Sequence, residues 1–176
     1  DIHERDAAAA RAVADAIGIP HHTVDMRGEF ESFVLSPFVS EYEKGRTPNP
    51  CVLCNGYIKF PALLRTADSL GCDFIATGHY ARVERDGSGR YLLKRAVDTS
   101  KDQTYVLYFL TQEQLAHIAF PLGEMESKEQ IREIAAGYGF VSAHKADSQD
   151  ICFVPDGKYA DFIRRQTGQE YPAGDF

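Results

Sequence analysis

Thr47-Pro48-Asn49-Pro50-Cys51-Val52-Leu53-Cys54-Asn55 is the stretch around which the rest of the chain can be read. Two closely spaced prolines remove backbone donors and fix φ, which excludes helix interior and central strand. The spacing predicts a stiff loop over 43–55 ending in Cys-x-x-Cys. An apolar helical pattern follows (Ile58, Leu63, Leu64, Ala67, Leu70), closed at Gly71. Thiols presented at the start of a helix are stabilised as thiolates by the helix dipole.

Working outward, helix and strand signals alternate. Residues 4–17 read as an Ala-rich helix ending at Gly18, and Pro20 blocks its continuation. His22-Thr23-Val24-Asp25-Met26 reads as a short strand, and a second helix is predicted over 29–42. Cys72-Asp73-Phe74-Ile75-Ala76-Thr77 reads as an apolar strand, with Gly78-His79-Tyr80 at its C-terminal end. Helix and strand in alternation, with short connections, predict an α/β fold with a mostly parallel sheet. Ligands bind such sheets at the carboxyl ends of strands, which makes Gly78 and His79 candidates. Gly78 lets a backbone approach a ligand closely, and His79 is either functional or a satisfied structural histidine.

Further along, residues 80–85 and 90–95 read as a β-hairpin turning at Asp86-Gly87-Ser88-Gly89. Arg82, Arg85, Arg90, Lys94, Arg95 and nearby Lys101 make it basic, whether as a solvated hairpin or as a binding surface. A helix is predicted over 104–110. Thr111/Gln114 and Ser127/Gln130 match capping boxes, the second opening a helix over 128–138 closed by Gly139. Phe140-Val141 starts a further strand, Ile151-Cys152-Phe153-Val154 is apolar, and a last helix is predicted over 157–166.

Composition narrows the class. The chain has 176 residues, 44% hydrophobic and 26% charged, as in a soluble domain with a real core. No apolar run spans a bilayer and no signal peptide opens the chain, which predicts a cytoplasmic protein. The net charge of −7 argues against indiscriminate nucleic-acid binding, with the basic hairpin as the one opposing patch. Asp1-Ile2-His3-Glu4 leads straight into helix without an initiator Met, which reads as a segment of a longer protein.

Four cysteines are too few for a disulfide scaffold and fit a reduced protein. Cys72 reads as a buried core residue. For Cys51 and Cys54 three readings stand: half of a zinc site, a thioredoxin-like pair, or one thiol working with distant Cys152.

Four motifs in order carry a resemblance. Gly45-Arg46-Thr47-Pro48-Asn49-Pro50-Cys51-x-x-Cys54-Asn55, Ala76-Thr77-Gly78-His79-Tyr80-Ala81-Arg82, Lys101-Asp102-Gln103-Thr104-Tyr105 and Ser148-Gln149-Asp150-Ile151-Cys152-Phe153 resemble the bacterial tRNA-specific 2-thiouridylases (the MnmA/TrmU family). They span nearly the whole chain. The resemblance implies a Rossmann-like N-type ATP pyrophosphatase (PP-loop) domain over 1–154, with residues 155–176 beginning a central tRNA-binding linker domain. It implies ATP-dependent adenylation of the wobble uridine C2 oxygen, followed by sulfur transfer. Cys152 would carry the persulfide and Cys54 would attack it. Asn49, Pro50 and Cys51 would contact the target base, Gly78 would lie against ATP, and His79, Lys101, Asp102 and Gln103 would contact tRNA.

ATP with Mg2+, tRNA, and a sulfur donor protein (a cysteine desulfurase or sulfur carrier) are the implied cofactors and partners, on a monomer with no protein-bound metal. Some members of the family carry Asp where Cys51 stands, so a thiol there adds a nucleophile beside Cys54. The family's phosphate-binding loop would precede Asp1 and its β-barrel would follow the chain, so these residues alone are expected to be weak or inactive. Two competitors remain: an iron–sulfur-dependent thiolase ligated by Cys51, Cys54 and Cys152, and a zinc-stabilised RNA-binding module.

Overall fold

The helical and strand signals resolve into six helices and four short strands among the described residues. The computed structural model describes residues 2–140, 143 and 150–171. Helix α1 is Ile2–Ile17, and α2 and α3 are continuous helical runs over 27–43 and 50–69, each interrupted by one wider turn. Strand β1 (Ile75–Ala76) follows, then β2 (Ala81–Arg85) and β3 (Tyr91–Arg95). The chain continues through α4 (Gln112–Leu115), β4 (Ile118–Ala119), α5 (Lys128–Gly137) and α6 (Tyr159–Thr167).

The parallel α/β expectation holds in its smallest form. β1 pairs with β4 in parallel, Ile75 opposite Ile118, and the intervening residues make the crossover. β2 and β3 form the predicted antiparallel hairpin, Ala81 opposite Arg95 and Arg85 opposite Tyr91. Its turn is organised by Asp86, whose Oδ1 accepts from the Ser88 and Arg90 amides at 2.9 and 3.0 Å. Gly89 supplies the left-handed residue the turn requires, at φ +89°.

Two apolar clusters hold these elements. Phe60 and Ala67 of α3 pack with Ile75, Leu107, Ile118 and Phe120 under the parallel pair. Phe38 of α2 packs with Val154, Phe162 and Ile163, so residues 155–171 lie against α2 through α6.

Several local predictions are corrected. Residues 22–26 form no strand; His22–Asp25 are exposed, and no described strand offers them a ladder. Asp25 instead accepts from the Arg27 amide at 3.1 Å at the entry to α2. The helix predicted over 104–110 is a 3-10 turn, Thr104–Val106, continued by single turns. Its bonds run i to i+3, Leu107 N to Thr104 O and Leu110 N to Leu107 O, and bury Val106, Leu107 and Leu110. Thr104, Tyr105 and Val106 are weak helix formers, so tertiary packing decides that segment.

Thr111 and Gln114 form the reciprocal capping box of α4. Ser127 caps α5, but Gln130 Oε1 accepts from Glu126 rather than from Ser127. The strand predicted from 72 begins only at Ile75. The Cys72 amide bonds Ala67 O at 2.8 Å as the last turn of α3 unwinds, which leaves Cys72 exposed rather than in the core. Val141 and residues 145–149, which include part of the fourth motif, lie outside the described residues.

Candidate functional site

The stiff loop ends at Asn49, two residues earlier than the first thiol. Asn49 is the N-cap of α3, its Oδ1 accepting from Cys51 N at 3.1 Å and Val52 N at 3.4 Å, and Pro50 is the first helical residue. Proline suits that position because its missing N–H would have no intrahelical partner there. The thiols therefore lie inside α3 rather than on the loop. Cys51 is exposed and Cys54, nearly one turn on, is half-buried.

Cys54 begins a π-helical turn, Cys54–Lys59, in which Phe60 N bonds Asn55 O across five residues. Asn55 locks its entry: the side chain is 3% exposed and Nδ2 donates to Cys51 O at 3.0 Å. α2 carries a matching π turn, Glu31–Leu35, closed by Ser36 N on Glu31 O. The two turns pack together, and Phe33 stacks on Tyr57 with centroids 5.7 Å apart. Such turns cluster at functional sites.

The same helix α2 holds the segment of Cys152. Phe153 packs edge-on against Phe30 at 5.6 Å and Phe38 at 5.1 Å, and lies 5.3 Å from Phe162. Asp150 closes the loop, accepting from the Tyr159 hydroxyl and from the Ile151 amide at 2.8 Å. This leaves Cys152 exposed next to its half-buried anchor Phe153. Phe30 and Phe38 thus hold the Cys152 segment while Phe33 holds the Cys54 turn, and all four cysteines are free thiols.

Electrostatics reverses one expectation. Burial pushes the Cys51 thiol up, Cys152 adds to the rise, and Lys59 opposes it. For Cys54 burial again comes first, Lys59 lowers it, and Cys152 and Cys51 raise it. Burial thus outweighs the favourable position at a helix start, where Asn49 Oδ1 already accepts from the amides of Cys51 and Val52. Both thiols hold their protons more tightly than an ordinary cysteine does. The mutual influence also puts Cys51, Cys54 and Cys152 in one neighbourhood.

Of the nucleotide- and tRNA-side candidates, the structure exposes Gly78 and Lys101, buries His79, and engages half-buried Asp102 and Gln103 in local hydrogen bonds. Gly78 is exposed two residues beyond β1, where a Cβ would meet only Leu122 Cδ1 at 3.5 Å. His79 is 8% exposed, stacks on Phe60 at 5.6 Å, and shares a 2.8 Å hydrogen bond between Nδ1 and Thr77 Oγ1. Burial holds its pKa down at about 4, with Lys59 adding to the effect, so its ring is a neutral core group. Asp102 accepts from Ala96 N at 3.0 Å and Thr104 Oγ1 at 2.6 Å. Gln103 ties down Tyr80, accepting from its amide at 2.9 Å. Lys101 and Tyr105, at the two ends of that motif, are exposed.

The hairpin is less free than its composition predicts. Glu84 pairs with Lys94 at 2.7 Å and with Arg82 at 3.7 Å, and Arg85 lies over Tyr91 at 5.7 Å. A cleft of about 300 Å³ between the hairpin and β4, lined by Phe74, Arg82, Tyr91 and Glu124 among others, contains none of the thiols. Among the described residues no group of three His, Cys, Asp or Glu side chains is arranged to hold a metal ion. No helix among them is long and apolar enough to cross a membrane. Asn55, Lys59, Asp150 and Phe153 are the contributors the residue pattern leaves unassigned; only the π turn relates Lys59 to Cys54.

Fold and site together define a Rossmann-like α/β domain with a thiol centre on the helix that leads into its parallel strand pair. The chain belongs to the family described as the tRNA methyl transferase HUP domain, whose model matches residues 2–156. It is 52% identical, over 99% of its length, to the tRNA-specific 2-thiouridylase MnmA of Geotalea uraniireducens (strain Rf4). It is 54% identical over 95% of its length to that of Carboxydothermus hydrogenoformans, and 50% identical over 95% to that of Lachnoclostridium phytofermentans. The chain spans 45–46% of the length of these relatives.

Proposed function

We propose that the full-length protein forms 2-thiouridine at the wobble position of tRNA, with this domain supplying the sulfur chemistry. The observation that carries the reading is the shared neighbourhood of Cys54 and Cys152, each built in by a different contact with α2. The relatives' printed names agree with thiolation, whereas the family description speaks of methyl transfer. A set of three neighbouring thiols favours sulfur chemistry.

In this reading a sulfur donor protein loads Cys152, which is exposed and accessible to it. The Cys54 thiolate attacks Cys152 Sγ, the S–S bond of the persulfide breaks, and a Cys54–Cys152 disulfide forms. The terminal sulfur leaves as hydrosulfide carrying the electron pair. It attacks C2 of a uridine whose oxygen has been adenylated by ATP, and AMP departs with that oxygen. An external thiol reduces the disulfide for the next turnover. Disulfide formation needs Cα atoms within roughly 4.4–6.8 Å.

Gly78 fits the nucleotide side because its backbone is open at the end of β1, and Mg2+ bound with ATP would supply charge neutralisation at phosphate. Cys51 would meet the extruded base at the exposed start of α3, with Asn49 shaping that surface as the cap; Pro50 is buried and supports the surface from below rather than touching the base. Lys101 would meet phosphate, with Asp102 and Gln103 fixing its turn and His79 supporting the loop from within.

The test uses full-length protein, ATP and unmodified tRNA, with 2-thiouridine read by nucleoside mass spectrometry. Cys54→Ser and Cys152→Ser should each abolish product while leaving tRNA binding intact. Thiolation that persists in both variants would sink the proposal. A competing reading, a cluster ligated by Cys51, Cys54 and Cys152, has no arranged set of three such side chains behind it among the described residues. Stoichiometric iron in anaerobically purified active protein would favour it over the persulfide route.

A further inference from the structure

Lys59 stands at the far end of the π turn that starts with Cys54. In an α-helix, residues five apart are about 140° apart around the axis. The wider i to i+5 turn makes five residues approximately one full turn, which swings Lys59 back over the face of Cys54. Asn55 fixes the entry to that turn through Cys51 O, and Phe60 fixes its exit by stacking on His79. The turn is thus clamped at both ends, with Lys59 as its last residue. Its side chain is exposed, and among the described residues no carboxylate pairs with it.

We propose that Lys59 is a positioning residue for sulfur transfer, its ammonium set by the π turn to stabilise the Cys54 thiolate as it forms. The proposal rests on the sulfur-transfer reading for its biological purpose. The need is plain: burial works against ionisation of Cys54, and nearby Cys51 and Cys152 add to that resistance. The titratable and charged groups on the packed elements are Arg27, Glu29 and Glu31 of α2, Tyr105 of the 3-10 turn, Cys152 of its loop, and Cys51, Tyr57, Lys59, Arg65 and Asp68 of α3 itself. Among the described residues Lys59 is the one cation that acts on Cys54, and it acts on Cys51 and His79 as well. A cation close to a thiol lowers its pKa and enlarges the nucleophilic fraction.

The experiment follows alkylation of Cys54 by iodoacetamide against pH, read by mass spectrometry of its peptide. It uses the full-length protein carrying Cys51→Ser, Cys72→Ser and Cys152→Ser. Adding Lys59→Gln should raise the midpoint by about half a unit to one unit, leaving about three- to tenfold less thiolate at neutral pH. Lys59→Arg should restore the midpoint, and raised ionic strength should narrow the difference. An unchanged midpoint in Lys59→Gln overturns the proposal, and so does a failure of Lys59→Arg to restore it, since that marks a structural role. The assay needs neither ATP nor RNA. The predicted shift, together with a failure of the full-length protein with all its cysteines to take up sulfur on Cys152, would therefore overturn the thiolation reading and leave Lys59 its electrostatic role.

Discussion

Burial of His79 against Phe60 and Phe120 gives the fold a pH dependence. Its pKa is held at about 4 against an ordinary 6.5, so the unfolded chain takes a proton that the folded one refuses. The associated stability is complete above pH 6.5 and is lost as pH falls toward 4, amounting to at most about 3 kcal/mol. Urea unfolding across that window should show the decline, and His79→Phe should flatten it; an equal slope in the variant would refute the assignment. Asn49→Ala should destabilise the protein by about 1 kcal/mol by removing the cap of α3. Denaturant titration measures this, and an unchanged midpoint would contradict the capping role. Residue identity alone announces a histidine, an acid and an amide in recurring motifs. It does not tell whether Asp102 and Gln103 face a ligand or tie down Ala96 and Tyr80. Burial decides that, and burial is a property of the assembled fold.

At the scale of elements, legibility follows locality. The hairpin could be read because Asp86 and Gly89 satisfy its turn by themselves. Asn49-Pro50 carried an equally local signal, a cap followed by a first-turn proline, but a proline pair also spells loop. The π turns have no such signature: nothing in the residues of 31–35 or 54–59 marks an extra residue, which is accommodated where the two helices meet. Residues 22–26 had the pattern of a strand but not the partner.

Gly123 shows the cost of close approach. A Cβ there would sit 1.6 Å from Ala81 O, at the start of the hairpin. Gly123→Ala should destabilise by about 3 kcal/mol or more, because the clash is with backbone. Chemical denaturation provides the check; a loss below about 0.5 kcal/mol, the scale of a neutral surface change, would show that the contact yields.

For the molecule as a whole, α2 is the element that makes a site out of separate motifs. Phe38 is fully buried between Phe153, Tyr42 and Phe162. Phe38→Ala should cost about 3–5 kcal/mol, and should uncouple the Cys152 loop from α3. Bifunctional thiol cross-linking between Cys54 and Cys152 should therefore fall in the variant under conditions where it remains folded. Undiminished cross-linking would contradict the role given to α2. The thiol centre was visible in the chain as motifs far apart in sequence. What brings them together is a helix whose aromatic residues belong to none of those motifs.

The most direct test of the central claim, that sulfur resides on Cys152 and is released by Cys54, is to find the sulfur atom. Full-length Cys54→Ser protein, loaded by a cysteine desulfurase and its substrate, should accumulate one extra sulfur on the Cys152 peptide in mass spectra taken without reductant. Sulfur carried instead on Cys51 or Cys54 in a Cys152→Ser protein that still thiolates tRNA would contradict the account.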